Sequence, residues 1–126
     1  STPERNSWGA VPASIIRRRA QLPTPVPGQP GPFSLGSPGV LEGVFRQAGF
    51  ANPEVSAVPV PHRTGSAAEY VQVAREAFGA FNAMMAHLPP LERESMWNEV
   101  EDSMRSFESP AGFEVPGECL VGSATK

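Results

Sequence analysis

The stretch Ser37-Pro38-Gly39-Val40-Leu41-Glu42-Gly43-Val44-Phe45-Arg46-Gln47-Ala48-Gly49-Phe50, followed by Asn52-Pro53 and the run Val55-Ser56-Ala57-Val58-Pro59-Val60, decides how this chain reads. Ser37 suits a helix cap, Pro38 the first helical position and Gly49 a left-handed stop. Val40, Leu41, Val44, Phe45 and Ala48 recur at helical spacing, so residues 38–48 are expected to form an amphipathic helix. Val55, Ala57, Val58 and Val60 read as a strand. Pro59 and Pro61 each lack the amide proton a ladder needs, which places that strand at a sheet edge. A short helix leading into a strand is an α/β unit.

Downstream, Ser66-Ala67-Ala68-Glu69 is a capping box. Behind it Tyr70, Ala74, Ala77, Phe81, Met84, Met85 and Leu88 keep helical spacing until Pro89-Pro90. A second helix is expected over 91–107. Met96, Trp97, Val100, Met104 and Phe107 lie on one face, and Glu92, Glu94, Glu99, Glu101 and Asp102 on or near the other. Ser109-Pro110-Ala111-Gly112 reads as a turn. Cys119 to Thr125 reads as a final strand, apolar on both faces and so buried in a sheet. Upstream, residues 12–22 are expected to form a helix, with Pro12 in its first turn and Pro23 as its stop. Residues 23–36 hold five prolines and three glycines in fourteen positions, the composition of an extended loop. The division is therefore a loop-rich segment 1–36, then 37–126 with a helix, an edge strand, a two-helix insertion over 66–107 and a final strand over 118–125.

The 126 residues carry a net charge of −3. An acidic chain is poorly suited to neutralising phosphates, so a nucleic-acid partner is not expected. One cysteine excludes an internal disulfide framework and a cysteine-rich zinc site. A reducing, cytoplasmic compartment is the default expectation. No apolar run approaches the ~20 residues that span a bilayer. Ser1 opens no signal peptide and reads as a truncation point.

Signatures of familiar chemistry are few. No Gly-x-Gly-x-x-Gly joins a strand to a helix; the glycines at 28, 31, 36 and 39 follow the proline-rich loop. His62 and His87 lack partners at ligand spacing. His62 keeps interest because it reads as the end of the strand just before the insertion, and open α/β sheets build sites at the C-terminal ends of strands. Cys119 reads as a small core residue. The acids of 91–107 read as a solvated face, with Glu101 and Arg105 as an i,i+4 pair. Arg17-Arg18-Arg19 reads as helix surface. Tyr70, Phe78, Phe81, Met84 and Met85 form a methionine and aromatic stripe. Such a stripe is ordinarily core, although methionine also suits a wall against varied apolar ligands.

The order of these signals resembles the C-terminal half of a class I S-adenosylmethionine-dependent methyltransferase of the ubiquinone/menaquinone small-molecule type. The matching residues are Pro3-Glu4-Arg5-Asn6-Ser7-Trp8, the helix ending Ala48-Gly49-Phe50, Ser66-Ala67-Ala68-Glu69-Tyr70 and Glu118-Cys119-Leu120-Val121-Gly122. The resemblance implies the C-terminal portion of a Rossmann-like sheet carrying a helical substrate-cap insertion. It places the cofactor-binding half, with S-adenosyl-L-methionine as cofactor, ahead of Ser1. In that family the Pro-Glu-Arg-Asn segment follows the fifth strand and lines the cleft, with a proline where Ser7 stands here, and the insertion covers the acceptor. Asn6, Trp8, His62, Tyr70, Phe78 and Met85 are thereby the candidate contacts to a small apolar acceptor. The final strand, lacking one neighbour, would leave an edge open to self-association. A free-standing helical module binding an apolar partner through the stripe is the rival reading.

Overall fold

Trp8, expected in a loop, opens a helix instead. In the computed structural model, which describes residues 1–26 and 29–126, a 3-10 turn at Pro3–Arg5 leads straight into α1 (Ser7–Arg19). α1 therefore starts five residues before the expected position, and Pro12 lies inside it rather than in its first turn. The helix tolerates Pro12 because the carbonyl it leaves without an amide finds another donor, described below. The expected loop over 23–36 carries only turns and irregular backbone where it is described; Pro27 and Gly28 lie outside the described residues.

α2 (Val40–Gln47) begins two residues later than its proline suggests, after a turn closed by the Val40 amide on the Ser37 carbonyl (3.2 Å). Gly49 ends the segment with φ of 83°, the left-handed stop its sequence requires. β1 (Ala51–Pro59) and β5 (Glu118–Thr125) pair antiparallel, with Val55 opposite Gly122 and Val58 opposite Cys119. α2 covers one face of this ribbon. Gly122 lets the helix sit close there, since a Cβ would stand 2.6 Å from the Phe45 ring and would make that ring shift. The other face is open. Cys119 is exposed and Val121 is 57% accessible, so the expectation of a strand buried on both faces is corrected. Its apolar run Cys119-Leu120-Val121 has one covered side only.

β2 (His62–Thr64) starts a second sheet, ordered β2-β4-β3, with β3 (Glu108–Ser109) and β4 (Gly112–Val115) forming a hairpin around the expected turn at 109–112. His62 thus opens β2 rather than ending β1. The serine half of the capping box forms as read, with Ser66 Oγ accepting from the Glu69 amide (3.1 Å), but Glu69 Oε2 reaches one residue further back and accepts from the Gly65 amide (2.6 Å) rather than from the cap's own. The long helix expected behind it is two, α3 (Ala67–Ala77) and α4 (Gly79–Met85), broken at Phe78 with φ −100° and ψ 75°. Gly79 follows the break, and a helix-interior glycine costs about 1 kcal/mol relative to alanine, so continuity is weakest there. α5 (Pro90–Met104) ends earlier than expected, in a 3-10 turn at Arg105–Phe107.

The fold is mixed α/β, with five α-helices and two antiparallel sheets among the described residues. One core joins Ile15 and Ile16 of α1, Tyr70, Val71 and Ala74 of α3, Phe81 and Met85 of α4, Met96, Val100 and Met104 of α5, and Phe113 and Val115 of β4. No helix among the described residues is long and apolar enough to cross a membrane.

Candidate functional site

Asn6 is buried, at 3% exposure, and is the only non-aromatic polar side chain buried among the described residues. Its amide nitrogen donates to the Thr2 carbonyl (2.8 Å). Its Oδ1 accepts from Trp8 Nε1 (2.9 Å) and from the Glu118 amide (3.0 Å). One side chain therefore ties the N-terminal turn, the Trp8 ring and the start of β5 together, and every polar atom it carries is satisfied.

The half-buried Trp8 ring meets two rings from distant segments. Its centroid lies 4.7 Å from His62 and 5.1 Å from Phe78. His62 and Phe78 stand 6.4 Å apart, edge to face. Three segments thus meet in one aromatic cluster: the start of α1, the first residue of β2 and the α3–α4 break. Gly117 closes the cluster from behind. A Cβ there would lie 3.1 Å from the Trp8 ring and 3.3 Å from His62, and would strike the Val60 carbonyl. Burial without an ionic partner holds the His62 imidazole below its ordinary pKa, favouring the neutral ring.

Tyr70 acts from the interior. It is 2% exposed and stacks on Phe113 with centroids 5.2 Å apart. Its hydroxyl donates to the Trp8 carbonyl. That carbonyl would normally accept from the amide four residues on, but residue 12 is proline. Tyr70 supplies the donor that Pro12 cannot. Burial pushes the phenol pKa up, so Tyr70 keeps its proton.

Of the six candidates, Asn6, Trp8, His62, Tyr70 and Phe78 are brought together. Met85 is not: it is fully buried with Met96, Val100 and Met104. Sequence reasoning missed Gly117, whose close approach carries no local signature beyond Pro116-Gly117. It also missed the role of Pro12, for which the spacing Trp8-x-x-x-Pro12 was the available signal. The acids and arginines taken as separate surfaces partly pair with one another: Glu99 meets Arg19 at 2.8 Å, and Glu94 meets Arg75 at 2.8 Å. Arg105 pairs with Glu101 at 3.0 Å, as the spacing implied.

Chemically the cluster is an apolar wall with one neutral imidazole. Among the described residues no group of three or more His, Cys, Asp or Glu is placed to hold a metal. Nor do these residues fit a nucleoside cofactor by themselves, since no strand passes through a glycine-rich turn into a helix. No family model, curated protein or solved structure matches the chain.

Proposed function

We propose that this chain is the C-terminal portion of a Rossmann-like S-adenosylmethionine-dependent methyltransferase and supplies the acceptor-side wall and the completion of its sheet. The observation that carries the reading is the packing of Trp8 on Phe78 and His62. Trp8 belongs to the Pro-Glu-Arg-Asn segment and Phe78 to the helical insertion. The family resemblance expects those two regions to face a small apolar acceptor. The antiparallel pairing of the edge strand with the final strand is compatible with the same portion of such a sheet. Methyl transfer rests mainly on holding two reactants in line and away from water. Trp8 and Phe78 would position the acceptor's apolar body, and Asn6 and Tyr70 would hold Trp8.

The cofactor's polar anchors fall outside these residues. Isothermal calorimetry of the 126-residue chain with millimolar S-adenosylmethionine is therefore expected to show no saturable heat. Micromolar binding would overturn the assignment. In the full-length enzyme, Trp8→Ala or Phe78→Ala is expected to lower acceptor kcat/KM by about one to two decades, the loss of a fully engaged aromatic contact, with cofactor Kd unchanged. The rival reading, a helical interaction module, has less support, because Tyr70, Phe81 and Met85 of the stripe are buried in the core.

A further inference from the structure

His62 is the one ring of the aromatic cluster that can gain a charge near neutral pH. Its imidazole lies 4.7 Å from Trp8, with planes 34° from parallel, and meets Phe78 edge to face at 6.4 Å. It makes no side-chain hydrogen bond or ion pair among the described residues, so its nitrogens stay open to water. The charged groups of the elements around it are engaged elsewhere. Arg63 of β2 pairs with Glu114 of β4 (2.5 Å), and Glu118 of β5 accepts from Ser1. Glu108 of β3 takes the Ala67 amide (2.7 Å). On α3, Glu69 takes the Gly65 amide (2.6 Å), Arg75 pairs with Glu94 (2.8 Å) and Glu76 accepts from Gln72 (3.3 Å). Glu4 and Arg5, ahead of α1, are exposed; α1 itself carries charge only in its last turn, and α4 carries none. A proton on His62 meets burial and no answering carboxylate.

The same ring braces a weak joint. Phe78 lies between α3 and α4, with backbone that belongs to neither helix. Its amide reaches the Ala74 carbonyl (3.1 Å), and across the joint Asn82 Nδ2 donates to the Arg75 carbonyl (2.6 Å) in an exposed position. α4 is seven residues long, too short to persist as a helix in water unless its side chains are held. The packing of Phe78 on Phe81, 5.8 Å apart, is part of that hold. Trp8 has its own tether through Asn6 (2.9 Å), whereas the Phe78 side chain depends on ring packing alone.

We propose that the Trp8–His62–Phe78 contact is a latch that acid opens: when His62 takes a proton from water its ring leaves the cluster for solvent, Phe78 loses its brace, and the α3–α4 joint opens to uncover the face of Trp8. The neutral imidazole packs on apolar rings at little cost, but an imidazolium there gives up hydration that no anion replaces. Trp8, tethered by Asn6, stays in place, so opening widens the wall rather than dissolving it. The bearing of the latch on an acceptor rests on the function proposed above; the latch itself involves neither acceptor nor cofactor, and its test can fail or succeed independently of methyl transfer. Nuclear magnetic resonance of the 126-residue chain from about pH 8 to about pH 5 reads it. The His62 Cε1–H shift gives the midpoint of its protonation. Native-state amide exchange, each rate taken relative to the intrinsic rate at that pH, gives the opening of α4. An opening that frees the ring restores its ordinary proton affinity, so the two readouts are linked. The expected result is a midpoint below 6.5 and a loss of α4 protection, by about threefold or more, that sets in at the same midpoint. The loss should vanish in His62→Phe, and also in His62→Gln, which keeps the ring position polar without a titrating group. A midpoint above 6.5 would mean that the cation is held on the Trp8 face and overturns the proposal. So does α4 protection that ignores pH while α5 protection falls, because His62 would then be freed only by global unfolding. The same loss in either variant overturns it as well.

Discussion

Tyr70 and Pro12 illustrate how a distant side chain repairs a local fault. Tyr70→Phe should cost about 1–3 kcal/mol, because it strands the Trp8 carbonyl in the interior. In a Pro12→Ala background residue 12 regains an amide for that carbonyl, so the same substitution should cost much less. Urea denaturation of the four proteins in the cycle measures the coupling, and an equal cost in both backgrounds would remove this account. His62 gives the residue scale a pH signature. Its folded pKa lies below the ordinary value of 6.5, so the folded state binds its proton less readily than the unfolded chain. Its contribution to stability is complete above about pH 6.5 and declines as pH falls toward and through the lowered folded pKa. Thermal midpoints across pH 4.5–8 should show this decline, and His62→Phe should flatten it. At this scale Asn6, Trp8, His62, Tyr70 and Phe78 were singled out in sequence as contacts to an acceptor, whereas their packing on one another shows only in the structure. What Tyr70 does was not legible, since its partner is a backbone atom 62 residues away.

Elements were legible where capping chemistry is local and illegible where neighbours decide. Ser66 with Glu69, and Gly49, mark their helices because each satisfies or permits backbone geometry within a turn. The break at Phe78 is not local in that sense, because Phe78 turns toward Trp8, His62 and Phe81. β2 to β4 were missed because strands of two to four residues carry almost no periodic signal. Only Phe113-Glu114-Val115, with its outer residues buried, alternates clearly. β5 was misjudged because three consecutive apolar residues look alike whether a sheet is covered on one face or two. Its exposed face makes a direct prediction. Cys119 should react with a disulfide reagent in the native chain at a rate within about tenfold of an unstructured thiol. Protection until unfolding would restore the buried reading.

The whole molecule divides its burial unequally. α1, α3, α4, α5 and β4 share the core, whereas α2, β1 and β5 contain no buried residue. In the chain starting at Ser1, amide exchange should therefore be slow in α5, close to the global limit, and orders of magnitude faster in β5 and α2. Uniform protection would mean that the ribbon belongs to the same cooperative unit as the helices. The mixed α/β class was readable from the helix–strand succession. The antiparallel sheets and their sizes depend on pairings across many residues that periodicity does not encode.

The bond between Asn6 and Glu118 joins positions 112 residues apart. Closing a loop that long is entropically expensive, with each doubling of length adding about 0.6 kcal/mol, so the contact is expected to form late. Folding would then proceed through the helices first, with the two ends of the chain meeting after the main barrier. Asn6→Ala should accordingly accelerate unfolding while leaving the refolding rate nearly unchanged, a φ-value near zero in a denaturant chevron. A refolding limb slowed in proportion to the lost stability would instead put the meeting of the ends at the start of folding.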